Sequence, residues 1–406
     1  MATIVQKFGG TSVADIDCIQ NVAEKVKREV DLGHGVAVVV SAMGAVTDEL
    51  VGLVERISPL YDAREYDTVV STGEQVSAGL LALALQNKGV SARSWLGWQI
   101  PMRTDDTHGR ARITDVERAI LAERLAGGQV AVVAGFQGIG SDSRITTLGR
   151  GGSDTSAVAL AYALGAERCD IYTDVDGVYT ADPRIVAKAR KLERITYEEM
   201  LELASLGAKV LQTRAVELAM KYGVRMQVRS SFADRPGTMV VDEEEIVEQE
   251  LVSGITYSRD EAKITLMRVE DRPGVAAAIF GPLAEASINI DMIVQNVSWD
   301  GGSTDMTFTV AEDDLDHAVE VIERNRDAAG YERLVSDRNV VKVSVIGVGM
   351  RSHAGVAQKM FATLAEKGIN IQVISTSEIK VSVLIAEEYA ELGLRALHSA
   401  YGLDAT

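Results

Sequence analysis

The 406-residue chain carries 41 Lys and Arg against 59 Asp and Glu, and its formal charge of −18 argues against nucleic acid or an anionic membrane as partner. Apolar residues make up 47%, enough to core two or three domains, and the longest apolar runs (36–40 and 130–134) are strand-length and far short of a membrane span. Two cysteines, Cys18 and Cys169, and five scattered histidines provide neither a disulfide framework nor a metal cluster. No basic-then-apolar leader precedes the first strand, so a cytoplasmic location is expected.

In chain order, apolar runs predict strands at 4–8, 36–41, 91–95, 130–136, 170–173 and 225–229. Helical patterns at 15–30, 69–86, 153–164 and 196–206 lie between them. The last carries a capping box, Thr196 with Glu199, and Gly207 as a stop. Such alternation predicts a mostly parallel sheet covered by helices on both faces.

The first strand runs into Lys7-Phe8-Gly9-Gly10-Thr11-Ser12, a glycine-rich turn before a helix. Glycines let phosphate oxygens approach the backbone, and a helix start offers free N–H groups and a positive dipole end. Lys7 would place its ammonium over a transferring group, although a tight turn with a snorkelling lysine reads the same way. Ser71-Thr72-Gly73-Glu74 begins or interrupts an apolar helical stretch; Glu74 could meet a substrate ammonium or be a solvated first-turn carboxylate.

Gly149-Arg150-Gly151-Gly152-Ser153-Asp154 is the second glycine-rich turn. Helix capping would account for Asp154 but not for an arginine flanked by three glycines, which is suited to bidentate capture of a carboxylate. Two such turns suggest a site holding two anionic reactants together, as phosphoryl transfer requires. The loop 173–184 opens like a calcium loop, but counting from Asp174 the sixth position is Tyr179 and the twelfth Ile185, so the spacing fails. Tyr179 could stack on a base and Arg184 reach a phosphate; a decorated surface loop is the plainer alternative. Lys209, just after Gly207, is open in the same way. An acidic protein that takes a polyanionic nucleotide must gather local positive charge, and Mg²⁺ would help. The Gly-x4-Gly-Lys-Ser/Thr loop and the protein-kinase signatures are absent, and Gly347-Val348-Gly349 lacks the third glycine of a dinucleotide fingerprint.

The acidic run 242–245 marks a boundary, followed by a repeat at an offset of 81 residues. Leu283-Ala284-Glu285-Ala286-Ser287-Ile288-Asn289-Ile290 recurs as Leu364-Ala365-Glu366-Lys367-Gly368-Ile369-Asn370-Ile371, and Pro273-Gly274-Val275 as Ala354-Gly355-Val356. Two copies predict a pair of small α+β modules rather than a solenoid. In the first, the helix start after Gly274 could take an effector carboxylate and Asp271 its ammonium, with Asn289, Asp291 and Gln295 just beyond. The second copy has Ser352 and Gln372 in place of Asp271 and Asp291, so the first is expected to make most effector contacts.

The stretches 7–13 (KFGGTSV), 71–82 (STGEQVSAGLLA), 146–161 (TTLGRGGSDTSAVALA) and 172–184 (YTDVDGVYTADPR) together resemble the aspartate kinase family, of the amino-acid kinase fold, over nearly the whole chain. The repeat resembles that family's paired ACT modules. The resemblance implies a catalytic domain at 1–241, a linker at 242–258 and ferredoxin-like ACT modules at 259–337 and 338–406. It implies phosphoryl transfer from Mg²⁺-bound ATP to the β-carboxylate of L-aspartate, on the branch to lysine, threonine and methionine, with lysine, threonine or both as effectors. By matching motif, Lys7, Arg150 and Asp154 would be catalytic, with Asp154 orienting Lys7. Gly9, Gly10, Ser12, Ser41, Ser153, Thr173, Asp174, Tyr179, Arg184 and Lys209 would bind ATP. Thr47, Glu74, Gly151, Gly152 and Ser153, with Arg150, would bind substrate. Val275, Ala276, Asn370 and Ile371 would join the effector residues. No protein metal ligands are implied. A homo-oligomer through the ACT modules is implied, with a separate small subunit started at Met239 as an option. Another amino-acid kinase acting on glutamate, or an amino-acid-binding regulator with an inactive kinase domain, are the competing readings.

Overall fold

The computed structural model describes residues 2–207, 210–246, 251–297, 302–353 and 355–404, and the chain divides into two compact units. One comprises Met1–Val178, Lys191–Ser205 and Lys209–Glu248; the other comprises Tyr179–Arg190, Leu206–Ala208 and Gln249–Thr406.

The first unit is built on an eight-stranded sheet, in the order Arg194–Thr196, Thr238–Val241, Met226–Ser230, Arg168–Thr173, Thr3–Phe8, Gly35–Val40, Val130–Ala134, Ala92–Trp95. Every neighbouring pair is parallel except Met226–Ser230 with Thr238–Val241. Gly35–Val40 and Val130–Ala134 are buried at every position, as strands covered on both faces must be, which is why they read as unbroken apolar runs. Helix Ile16–Asp31 turns Ile19, Val22, Ala23 and Val26 into the core on that sheet, alongside Ala78, Leu81 and Leu85 of helix Thr72–Asn87. The capping box forms as read: Thr196 N–H donates to Glu199 Oε2 and Glu199 N–H to Thr196 Oγ1, both at 3.2 Å.

The single helical stretch expected at 69–86 is two helices, Ala63–Val70 and Thr72–Asn87, parting at Ser71. Among the described residues, 63–87 is the one helical run long and apolar enough to cross a membrane, yet it buries Asp67 and Glu74, as core helices of a folded domain do. The sequence reading also passed over a small sheet, Ile113–Val116, Met102–Thr104, Gln137–Ile139 and Ile145–Thr147, whose three- and four-residue strands are too short for a period to register.

The second unit holds two four-stranded antiparallel sheets, each with helices packed on it. Ile290–Val297, Ser303–Val310, Ala262–Glu270 and Arg333–Asp337 form the first, cored by Ile264, Leu266 and Phe308 against Val275, Ile279 and Leu283 of helix Val275–Glu285 and Ala318 and Ile322 of helix Leu315–Arg324. The second sheet is Gly254–Ser258, Val340–Ile346, Lys380–Ala386 and Val373–Thr376. Residues 254–258, read as linker, are thus a strand: Thr256 pairs with Ser344, so the first module is inserted within the second. Residues 247–250 of that linker, and Ala354 of the repeat, lie outside the described residues. Gly274 and Gly355 both precede their helices with left-handed backbone, at φ +89° and +98°, so the repeat is structural as well as textual.

Segment Tyr179–Arg190 is built into the second module. Ala181 and Val186 join its core with Val343 and Leu394, and Thr180 Oγ1 lies 2.9 Å from Nε2 of buried His398.

Candidate active site

Three neighbouring parallel strands deliver their C-terminal ends to one place, which is where a parallel sheet presents loops to a ligand. After Thr3–Phe8, Gly9 N–H donates to the Tyr172 carbonyl at 3.2 Å and the chain passes into a 3-10 turn, Gly10–Val13. The helix expected from about residue 15 follows: Asp15 caps helix Ile16–Asp31 by accepting from Cys18 N–H at 2.7 Å, and that bond holds the Asp15 carboxyl below its usual range.

Buried Ser12 places Oγ 2.5 Å from Oγ of buried Ser231, and Ser231 N–H donates to the Thr173 carbonyl at 2.8 Å. Ser12, Thr173 and Ser231 thus converge from adjacent strand ends. Ser231 was not singled out from sequence; its signal is the Ser230-Ser231 pair directly after the strand read at 225–229. Thr173 Oγ1 donates to Asp174 at 3.1 Å. Ser41 follows the next strand and donates its N–H to the Phe8 carbonyl at 3.1 Å, which seats it beside the Lys7 turn.

Lys7 and Asp154 meet. Their side chains, 12% and 10% exposed, form an ion pair of 2.6 Å. Asp154 also accepts from Gln212 N–H at 3.3 Å. The helix-capping role open to Asp154 from sequence is not what it does: Gly151 occupies the cap position of helix Gly152–Leu164, at φ +69°, and Asp154 lies within the first turn, turned toward Lys7. Gln212 Nε2 donates to the Arg150 carbonyl at 2.7 Å, while the Arg150 side chain is exposed and forms no salt bridge among the described residues. Ser153 is buried beside Gly152. Phe136, with a left-handed φ of +67°, packs its ring on Gly152, and its N–H is taken by Ser156 Oγ at 3.1 Å. A non-glycine residue in that conformation is a strained feature that no sequence pattern signalled.

Glu74 is 3% exposed, which removes the solvated-carboxylate alternative. Its Oε1 accepts from Ala42 N–H at 3.1 Å, but buried Oε2 has no partner, and burial pushes the carboxyl up to about 7. A buried carboxyl with one oxygen unmatched is a group that the fold itself leaves unsatisfied. Half-buried Thr47 stands in the first turn of helix Val46–Ile57.

Tyr179 and Arg184 belong to the second unit, where Arg184 pairs with Asp182 at 2.7 Å. Lys209 lies outside the described residues. Of the effector candidates, Asp271, Gly274, Ala276, Asn289, Gln295 and Asn370 are exposed, Ile371 is half-buried and Val275 is buried. Asp291 is not a free carboxylate: it pairs with Lys342, a buried lysine that also pairs with buried Glu261. No group of three His, Cys, Asp or Glu among the described residues could hold a metal.

The amino acid kinase family profile matches residues 2–230, and ACT domain profiles match 263–327 and 343–401. The chain is 55% identical to the aspartate kinase Ask_LysC of Stutzerimonas stutzeri, covering 100% of this chain and 98% of the relative. It is 55% identical to the aspartokinase of Pseudomonas aeruginosa, with the same coverage. Among solved structures it resembles E. coli aspartokinase III in complex with aspartate and ADP, with a TM-score of 0.79, 28% identity and coverage of 98% of this chain and 99% of that one. The complex of that enzyme with lysine and aspartate gives a TM-score of 0.77 at 29% identity, again covering 98% and 99%. With the kinase sheet, the Lys7–Asp154 pair and the tandem ACT modules in place, the chain belongs to the aspartate kinase family.

Proposed function

We propose that the protein transfers the γ-phosphoryl group of ATP to the β-carboxylate of L-aspartate, giving 4-phospho-L-aspartate and ADP, the first step towards lysine, threonine and methionine. The observation that carries this reading is Glu74: its unmatched, buried Oε2 fits the ammonium of an amino-acid acceptor. Arg150 supplies the complementary charge for an acceptor carboxylate.

The acceptor carboxylate is ionised at neutral pH, so no general base is needed. Its oxygen forms the new P–O bond while the bond from the γ-phosphorus to the bridging oxygen breaks, and that electron pair leaves on ADP. Catalysis is then positioning and charge neutralisation. Lys7, held by Asp154, faces the charge that develops on the transferring group, and the turn amides with Ser12 and Ser41 line the phosphates. The residues fit a nucleotide polyphosphate better than a protein-built metal cage, so Mg²⁺ would arrive on the phosphates, where it neutralises and orients them. Thr173, Asp174, Ser153, Tyr179, Arg184 and Lys209 are assigned to ATP, and Thr47, Gly151 and Gly152 to aspartate, by their motifs.

The ACT modules take lysine, threonine or both as inhibitors. Support comes from the E. coli relative solved with lysine and aspartate. The same reading makes the enzyme a cytoplasmic homo-oligomer joined through those modules, with the domain limits expected from sequence except that 254–258 and 179–190 go with the second unit, and an option of a small subunit begun at Met239.

Hydroxylamine trapping of acyl phosphate, with L-aspartate and L-glutamate offered separately, tests the acceptor. Aspartate-dependent hydroxamate that falls with lysine or threonine is the expected result. Product with glutamate alone would move the assignment to another amino-acid kinase, and none with either acid would favour the regulator.

A further inference from the structure

Asp67, on helix Ala63–Val70, is fully buried and belongs to none of the motifs, yet it ties two separate segments of the first unit to its own helix. His108 Nδ1 lies 2.7 Å from Asp67 Oδ2. Gly109 N–H points at both oxygens, at 3.1 and 3.2 Å. Thr147 Oγ1 donates to Oδ1 at 2.5 Å. Gly109 N–H and Thr147 Oγ1 donate to the carboxyl, and the His108 ring meets it through Nδ1. A buried carboxylate matched this fully is an anchor.

What it anchors is the Arg150 turn. Thr147 ends the strand that leads into that turn, and its carbonyl accepts from Ala111 N–H at 2.9 Å. The 108–111 loop packs directly on the turn, since a Cβ added at Gly149 would come within 3.3 Å of the Gly109 carbonyl. Arg214 closes the frame by donating to the Leu148 carbonyl at 2.6 Å and to the Ala111 carbonyl at 3.0 Å. We propose that Asp67, through His108, Gly109 and Thr147, is a positioning residue that sets the Arg150 turn for the amino-acid acceptor, without touching substrate. The assignment rests on the reading of Arg150 as the acceptor-carboxylate ligand.

Two measurements on Asp67→Asn, Thr147→Val and Thr147→Ser test it. The first, hydrogen–deuterium exchange of the full chain without ligands, needs no assumption about substrate. Thr147→Val, which keeps the shape and removes the donor, should speed exchange of amides at 148–152 by about tenfold or more and leave those at 9–13 unchanged. Thr147→Ser, which keeps the hydroxyl, should restore wild-type exchange. The second is steady-state kinetics. Asp67→Asn and Thr147→Val should raise the aspartate KM about tenfold while ATP KM stays within about twofold. Unchanged exchange at 148–152 in Thr147→Val overturns the anchor even if Asp67→Asn fails to fold. Faster exchange with aspartate and ATP KM moving together, or neither moving, overturns the positioning role. An inactive wild type would sink the proposed function alone, and the exchange data would still decide the anchor.

Discussion

The turn after Thr3–Phe8 and the turn before Gly152–Leu164 both set a basic residue among glycines, but they are supported differently. The first is held mostly by backbone, Gly9 N–H to the Tyr172 carbonyl, Ser41 N–H to Phe8, and Gly44 N–H to Gly10, with Ser12 against Ser231 and Lys7 against Asp154 as its side-chain ties. The second is held by side chains from far along the sequence, Gln212 on the Arg150 carbonyl and Arg214 on the Leu148 carbonyl. A turn braced by its sheet stays put when one side chain changes. A turn tied down by polar side chains can be loosened by one substitution, so the first suits a fixed phosphate site and the second an adjustable acceptor site.

The sharpest test of that division is at Lys7. Lys7→Ala should lower kcat about 10³-fold while aspartate and ATP KM change little, because the ammonium acts mainly on charge that develops in the transition state. Unchanged turnover would remove Lys7 from its role. Next is Arg150→Lys, which keeps the charge and loses the fork; aspartate KM should rise about 30-fold, for a loss of about 2 kcal/mol of charged hydrogen bonding. An aspartate KM equal to wild type would refute the bidentate assignment.

The third effect is set by Glu74. Burial raises its carboxyl to about 7, so the proton is held more tightly in the folded than the unfolded chain. The resulting contribution to stability is complete below the ordinary carboxylate range and is lost as pH rises through about 7. Binding runs the other way, since only the ionised form pairs with an ammonium. Aspartate KM should therefore fall about tenfold between about pH 6 and 8, and Glu74→Gln should flatten that profile. A profile equally steep in the variant would assign the titration elsewhere.

The smallest effects compare the turns directly. Gly151→Ala must bring an L residue to φ +69° and push Gln212 aside, where a Cβ would come within 2.7 Å of its side chain, for a cost of about 1–2 kcal/mol in chemical denaturation. Gly10→Ala only presses a Cβ to 3.1 Å from the Ala42 carbonyl, for about 1 kcal/mol or less. Equal costs would erase the distinction.

How much the sequence disclosed follows the same line. The buried strands, the capping box of Thr196 with Glu199 and the glycine turns were legible because each is written locally, as an apolar run or a fixed spacing. The Lys7–Asp154 pair was reached through family resemblance, since nothing local tells an aspartate in a first helical turn to face a lysine 147 positions earlier. Asp67, Phe136 and Ser231 were passed over because their partners lie on other elements. The strand Gly254–Ser258 was read as linker for the same reason: its pairing partner, Val340–Ile346, comes only after the whole first module.

Calorimetric titration of L-aspartate into the wild type, Lys7→Ala and Arg150→Lys tests the division of labour most directly, because it separates acceptor binding from chemistry. The account predicts that Lys7→Ala binds aspartate within about threefold of wild type while Arg150→Lys weakens it by about tenfold or more. Aspartate binding lost in Lys7→Ala and kept in Arg150→Lys would contradict it.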